Sequence, residues 1–241
     1  LEGLIELAEK ETYRTHWDPA LRPLAALYHR RFLESRAAYL AQGRNLVAAF
    51  RALQDLGRVE IITSAATHAL LPLLENHPPS LRAQIVVARD HYRSCFGADP
   101  RGIWLPECAY VDGIETVLQE ANIRWFITDT HGLLHARPRP RYGVFAPVFT
   151  PNGLAVFGRD LESAKQVWSR QEGYPGDGCY RDFYRDIGFD LDYDYVRPFL
   201  PAPPERSFTG IKYFRITGHG ADKQVYDRPA AAFGRTVPSA A

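Results

Sequence analysis

The chain has 241 residues, 29 of them basic and 28 acidic, and its formal charge of +1 leaves no surplus for gripping a polyanion, so nucleic acid and anionic membrane surfaces are not expected partners. Hydrophobic residues at 46% and charged residues at 24% are ordinary globular values, which excludes disordered and fibrous classes. The length fits one large α/β domain or two small ones.

Residues 1–10 read as an acidic, amphipathic helix. After Pro23, Leu24, Leu27, Tyr28, Phe32 and Tyr39 recur at near-helical spacing, and Leu46, Val47, Phe50, Leu53 and Leu56 make a second apolar stripe that stops at Gly57. Residues 59–63 are short, apolar and β-branched, which predicts a buried parallel strand, and residues 66–75 return to helical composition. The cycle repeats with a helix over 80–96, a strand over 102–105, a helix over 113–121 and a strand over 125–128. Such alternation predicts an α/β fold, a parallel sheet or barrel with helices outside. Reacting groups then belong where strands end and loops begin. Beyond His131, short β-like runs at 144–150 and 154–157 flank Pro151-Asn152-Gly153, a hairpin signal. Residues 174–204, rich in Gly, Pro, Asp and aromatics, are expected to form a long insertion over one face of the barrel, and alanines at 230–232 and 240–241 mark a ragged terminus.

Three cysteines without a Cys-x-x-Cys pair argue against a disulfide framework and a cysteine-built zinc site, and point to a reducing cytoplasm. No stretch approaches the ~20 apolar residues of a membrane span, and residues 1–10 are acidic and amphipathic, not basic then apolar as a signal peptide would be. The chain contains no methionine and starts at Leu1 inside a helical pattern, so it is expected to be an internal piece of a longer polypeptide.

Four groups of residues have the chemistry of a site. Glu107 follows an apolar strand and is set behind Pro106, which fixes the backbone; it reads either as a reactive carboxylate or as a surface acid at a strand end. Its neighbour Cys108 reads as a packing residue. Glu60, in or at the end of a strand, is either functional or paired with an arginine, and His68 is expected at the start of the next helix. Asp129 and His131 close the strand over 125–128 and, with His68, make the donor set of a metal-dependent deacetylase, although their spacing matches no compact zinc motif and no metal is expected. Arg159, Trp168 and Gly176 combine a planar hydrogen-bonding cation, an exposed-looking aromatic and a glycine turn, as a saccharide subsite or a structural corner would.

Taken together, GRVEIITSAATHALLPLL (57–74), GIWLPECAY (102–110), FITDTHG (126–132), FGRDLESAKQVWS (157–169) and GYPGDGCYRDFYRDIGFD (173–190) resemble the 1,4-α-glucan branching enzymes of glycoside hydrolase family 57, over residues 1 to about 229. The resemblance implies an incomplete (β/α)7 barrel followed by a helical domain. Residues 1–173 would be part of the catalytic barrel, 174–204 the insertion, and 205–241 a barrel continuation with a divergent end. It implies Glu107 as the nucleophile of a retaining mechanism on an α-1,4-glucan, with no cofactor and no metal. It places His68, Arg159 and Gly176 against bound sugar and Glu60 in support; to these are added Trp168 as a stacking platform and Asp129 and His131 as supports. The family's opening His-x-Pro motif has no counterpart here, and its acid/base aspartate belongs to a motif beyond residue 241, so these residues alone are expected to be inactive. The rival readings are a family 57 α-amylase or 4-α-glucanotransferase using the same nucleophile, and a non-catalytic α-glucan-binding protein.

Overall fold

The computed structural model describes residues 1–201, 205–218 and 220–233; the end of the expected insertion at 202–204 and the divergent terminus at 234–241 lie outside the described residues. In chain order the elements are α1 (Glu2–Arg14), α2 (Arg22–Ala41), α3 (Leu46–Asp55), β1 (Thr63–Ser64), α4 (Pro78–Phe96), β2 (Gly102–Trp104), α5 (Ile114–Glu120), β3 (Trp125–Thr128), α6 (Thr130–Leu134), β4 (Val148–Phe149), β5 (Ala155–Gly158), α7 (Leu161–Trp168), α8 (Ile187–Asp190), α9 (Tyr193–Val196) and α10 (Arg228–Phe233). They fall into two compact units, one of residues 45–164 and one of residues 1–44 with those from 165 onward.

The first unit holds a sheet in the order β1-β2-β3-β5-β4, parallel throughout except for the antiparallel β4–β5 hairpin. This is the mostly parallel α/β architecture that the alternation predicts. Ile103 of β2, Phe126 of β3 and Val156 of β5 pack with Ile85 of α4 and Leu118 of α5 in one core. Each such side chain stabilises the fold by about 1.5–3 kcal/mol relative to exposure. Helix α4 starts at Pro78 behind the His77 cap and stops where Gly97 adopts φ 72°, a conformation glycine takes without steric cost. The hairpin turns at Gly153, φ 88°.

Two expectations are corrected. The strand predicted over 59–63 is confined to Thr63–Ser64, because the backbone of Ile61 is bonded elsewhere: its N–H donates to Gln54 Oε1 at 3.0 Å and its carbonyl accepts from Tyr92 Oη at 2.9 Å. The helix predicted over 66–75 is replaced by a turn and a 3₁₀ segment, Leu71–Leu74. Ala66 and Thr67 give their N–H groups to Gln84 of α4, and Pro72 has none to give. The apolar stripe of α3 forms on schedule, yet Leu46, Val47, Phe50, Leu53 and Leu56 all stay exposed.

In the second unit α1 and α2 pack with the later segments: Leu7, Leu24 and Tyr28 share a core with Ile187, Val196, Ile211 and Tyr213. Two carboxylates are fully buried there. Glu11 accepts from Arg14, from Tyr195 Oη at 2.8 Å and from Tyr213 Oη at 2.8 Å. Asp186 accepts from the N–H groups of Gly188, Thr209 and Gly210 and from the Thr209 hydroxyl. Among the described residues no helix is long and apolar enough to cross a membrane.

Candidate active site

The strand register sets the site. Ser64 lies beside Trp104, Trp104 beside Ile127 and Thr128 beside Gly158, so the segments after β1, β2, β3 and β5 leave the sheet at one edge. His68, Glu107, Asp129 and Arg159 all lie in those segments, at the carboxyl ends where α/β folds collect reacting groups.

Glu107 owes its position to its neighbours. Leu105 and Cys108 are buried, and Pro106 restricts the backbone between them, so the chain turns in one 3₁₀ step, Pro106–Cys108, and the glutamate side chain is left exposed. Within that step Glu107 has φ 56° and ψ 20°, and Cys108 has φ 54°. Left-handed backbone is costly for residues with a Cβ, and two in succession persist only where the surroundings over-determine them. His68 is a third such residue, at φ 55°, in a turn and not at the helix start expected for it. Its Nδ1 is 3.2 Å from Ser64 Oγ, which also donates to the Trp104 carbonyl at 3.0 Å and so ties the ends of β1 and β2.

A cavity of about 480 Å³ opens beside Glu107, with Asp129 and His131 in its polar wall and Phe126, Phe149 and Val156 in its apolar wall. Asp129 caps α6 through a 2.8 Å bond from the Thr130 N–H, and its other oxygen is 3.4 Å from His131 Nδ1. Burial pushes the Cys108 thiol up, the Arg159 guanidinium beside it pulls it back, and the Asp129 and Glu107 carboxylates add to the rise. The backbone of Arg159 is fixed from β3, its N–H donating to the Thr128 carbonyl at 3.0 Å and its carbonyl accepting from Thr130 Oγ1 at 2.6 Å. Tyr110 stacks on Phe126 at 5.5 Å, and burial with a hydrogen bond to Glu115 pushes its phenol up.

The remaining candidates are placed as follows. Glu60 is outside the strands; it pairs with Arg101 at 2.8 Å and accepts from Trp125 Nε1 at 3.3 Å, the structural pairing its position allowed. Trp168 and Gly176 belong to the other unit. Trp168 is 77% exposed at the end of α7. Gly176 closes a 3₁₀ turn where an added Cβ would collide with the Arg170 carbonyl oxygen, so any other residue must move backbone. Among the described residues no group of three His, Cys, Asp or Glu side chains is placed to hold a metal ion, His68, Asp129 and His131 included. Reasoning on the sequence missed Ser64 as the partner of His68, and both buried carboxylates. Glu11 was within reach, since it shares a helical face with Leu7 and Ala8.

An exposed carboxylate on a strained turn, beside an aromatic-walled cavity, has the chemistry to attack a bound neutral molecule. In comparison with known proteins, the family model for glycosyl hydrolase family 57 matches residues 6–193. The chain belongs to that family. It is similar to a 1,4-alpha-glucan branching enzyme of Thermococcus kodakarensis, at 37% identity over 76% of this chain and 28% of that protein. Among solved structures it is similar to the alpha-amylase AmyC of Thermotoga maritima, at 42% identity and TM-score 0.87 over 95% of this chain and 45% of that one. It also matches a family 57 branching enzyme of Pyrococcus horikoshii, at 32% identity and TM-score 0.75 over 97% of this chain and 42% of that one. The chain thus spans between a quarter and a half of the length of these relatives.

Proposed function

We propose that the protein is a retaining 1,4-α-glucan branching enzyme of the cytoplasm that serves glycogen synthesis, and that Glu107 is its nucleophile. A Glu107 carboxylate oxygen attacks C1 of a glucosyl unit, the bond from C1 to the glycosidic oxygen breaks, and a general acid protonates the departing oxygen. The 6-hydroxyl of a second glucan then attacks C1, giving its proton to the same group and releasing Glu107. Arg159 and His68 are proposed to contact the donor sugar, with Trp168 and Gly176 as further sugar contacts and Glu60, Asp129 and His131 as supports. The acid/base carboxyl of such a pair stands about 5–5.5 Å from the nucleophile. We assign it to a residue outside these 241, so the 241 residues alone are expected neither to transfer nor to hydrolyse amylose.

The observation that carries the reading is the exposed Glu107 on left-handed backbone after β2, at a cavity that Asp129 and His131 also line. The test is Glu107→Gln in the full-length protein with amylose as substrate, followed by proton NMR of the anomeric region. The intact protein should give new α-1,6 signals and the variant should lose roughly 10⁴-fold in rate. Undiminished turnover in the variant removes the assignment. A second reading is favoured by the likeness to AmyC: hydrolysis at the same nucleophile. Shortened chains without α-1,6 signals would establish it in place of branching.

A further inference from the structure

We propose that the unit containing residues 165 onward carries a site for a phosphate-bearing sugar. A cavity of about 370 Å³ in that unit is walled by Arg170, Arg185, Arg215 and Lys223 around the ring of Phe214. The one carboxylate in its wall, Asp182, already accepts from the Tyr184 N–H at 2.9 Å. Arg185 is neutralised by Asp190 at 2.8 Å, whereas Arg170, Arg215 and Lys223 have no carboxylate partner among the described residues. The chain as a whole carries only +1, so this excess is local.

Two features separate the cavity from a patch of surface cations. Its cations are held in place by neutral groups: Arg215 donates to the Gly178 carbonyl at 3.1 Å and to the Gln224 side chain, and the Phe214 ring lies 5.1 Å from Lys223 Nζ and 6.0 Å from the Arg185 guanidinium. The three cations without a carboxylate partner, Arg170, Arg215 and Lys223, also meet in the wall of one cavity, and uncompensated cations gathered in a concavity call for an oxyanion. The volume reaches the range of small-molecule sites, far above the ~30 Å³ that a water occupies, so it admits more than bare phosphate. Phe183 and Tyr184, both lining the cavity and mostly exposed, offer the ring faces on which a pyranose packs.

The test is calorimetric titration of the full-length protein with glucose 6-phosphate, inorganic phosphate and maltose. Glucose 6-phosphate should bind, inorganic phosphate should compete with it more weakly, maltose should not displace it, and added salt should weaken binding. Lys223→Gln and Arg170→Gln change exposed side chains and leave the core intact; each should weaken binding about tenfold. Binding that ignores both substitutions, phosphate that fails to compete, or no binding of either anion at ~10 mM overturns the site. Equal affinity for the two anions overturns the role given to the rings. Because the readout is binding and not turnover, the result is independent of whether the protein branches or hydrolyses glucan.

Discussion

Replacing Glu107 with glycine should abolish activity and stabilise the protein. At φ 56° and ψ 20° a residue with a Cβ carries a cost of about 1–2 kcal/mol that glycine does not. The side chain is exposed and makes no hydrogen bond or ion pair among the described residues, so nothing in the protein is given up with it. Glycine has greater freedom in the unfolded chain, which offsets about 0.5–1 kcal/mol of the gain. The net expectation is about 0.5–1 kcal/mol in favour of Glu107→Gly, or roughly 1–4 °C in melting temperature for a unit of this size. Glu107→Ala is the control, since it removes the carboxylate and keeps the Cβ. Urea unfolding of the two variants and the parent, followed by tryptophan fluorescence, gives the order of midpoints. An alanine variant as stable as the glycine variant, or a glycine variant weaker than the parent, would refute the argument that the turn is strained around its carboxylate.

Asp186→Ala should cost about 3–5 kcal/mol, because three buried donors and the half-buried Gly210 N–H lose their acceptor; urea unfolding of the variant measures it. Gly176→Ala must move backbone away from the Arg170 carbonyl, and a loss of about 1–3 kcal/mol in the same assay is expected, with weaker glucan binding if the turn contacts sugar. Burial, followed by the Glu11 carboxylate, pushes the Tyr195 and Tyr213 phenols above their ordinary range. Their contribution to stability is therefore complete below about pH 10, where unfolded tyrosine ionises, and is lost as pH rises beyond it. Unfolding midpoints should fall as pH rises above about 10, and Tyr213→Phe should flatten that fall.

The sheet was legible wherever a run of residues had a single structural option. Residues 125–128 are all aromatic or β-branched and are followed by an acid, and β3 forms over the same residues. Pro78 and Gly97 bracket α4 as start and stop signals do. Residues 59–63 and 66–75 were not legible, since their fate depends on Gln54, Gln84 and Tyr92, side chains that take backbone hydrogen bonds from a distance along the chain. Periodicity within a window is blind to such partners. The same limit hid the core of the second unit, where Leu7 and Tyr28 meet Ile187 and Ile211 from the other end of the chain.

At the site, residue types were legible and conformation was not. Pro106 and the apolar run before it place an acid at a strand end, but no pattern announces left-handed backbone at Glu107, Cys108 and His68. These three residues follow β1 and β2, adjacent parallel strands whose ends are tied through Ser64. A surface glutamate that merely finished a strand would have no need of that conformation, which glycine or asparagine takes at less cost. Nor is it repaid by a hydrogen bond, since the carboxylate has none among the described residues. What fixes the turn is the burial of Leu105 and Cys108 on either side, and its effect is to leave one unpartnered carboxylate at the rim of a cavity whose wall already holds Asp129 and His131. Strain held in place by packing, with an unpartnered carboxylate as its result, is the physical case for proposing chemistry at Glu107.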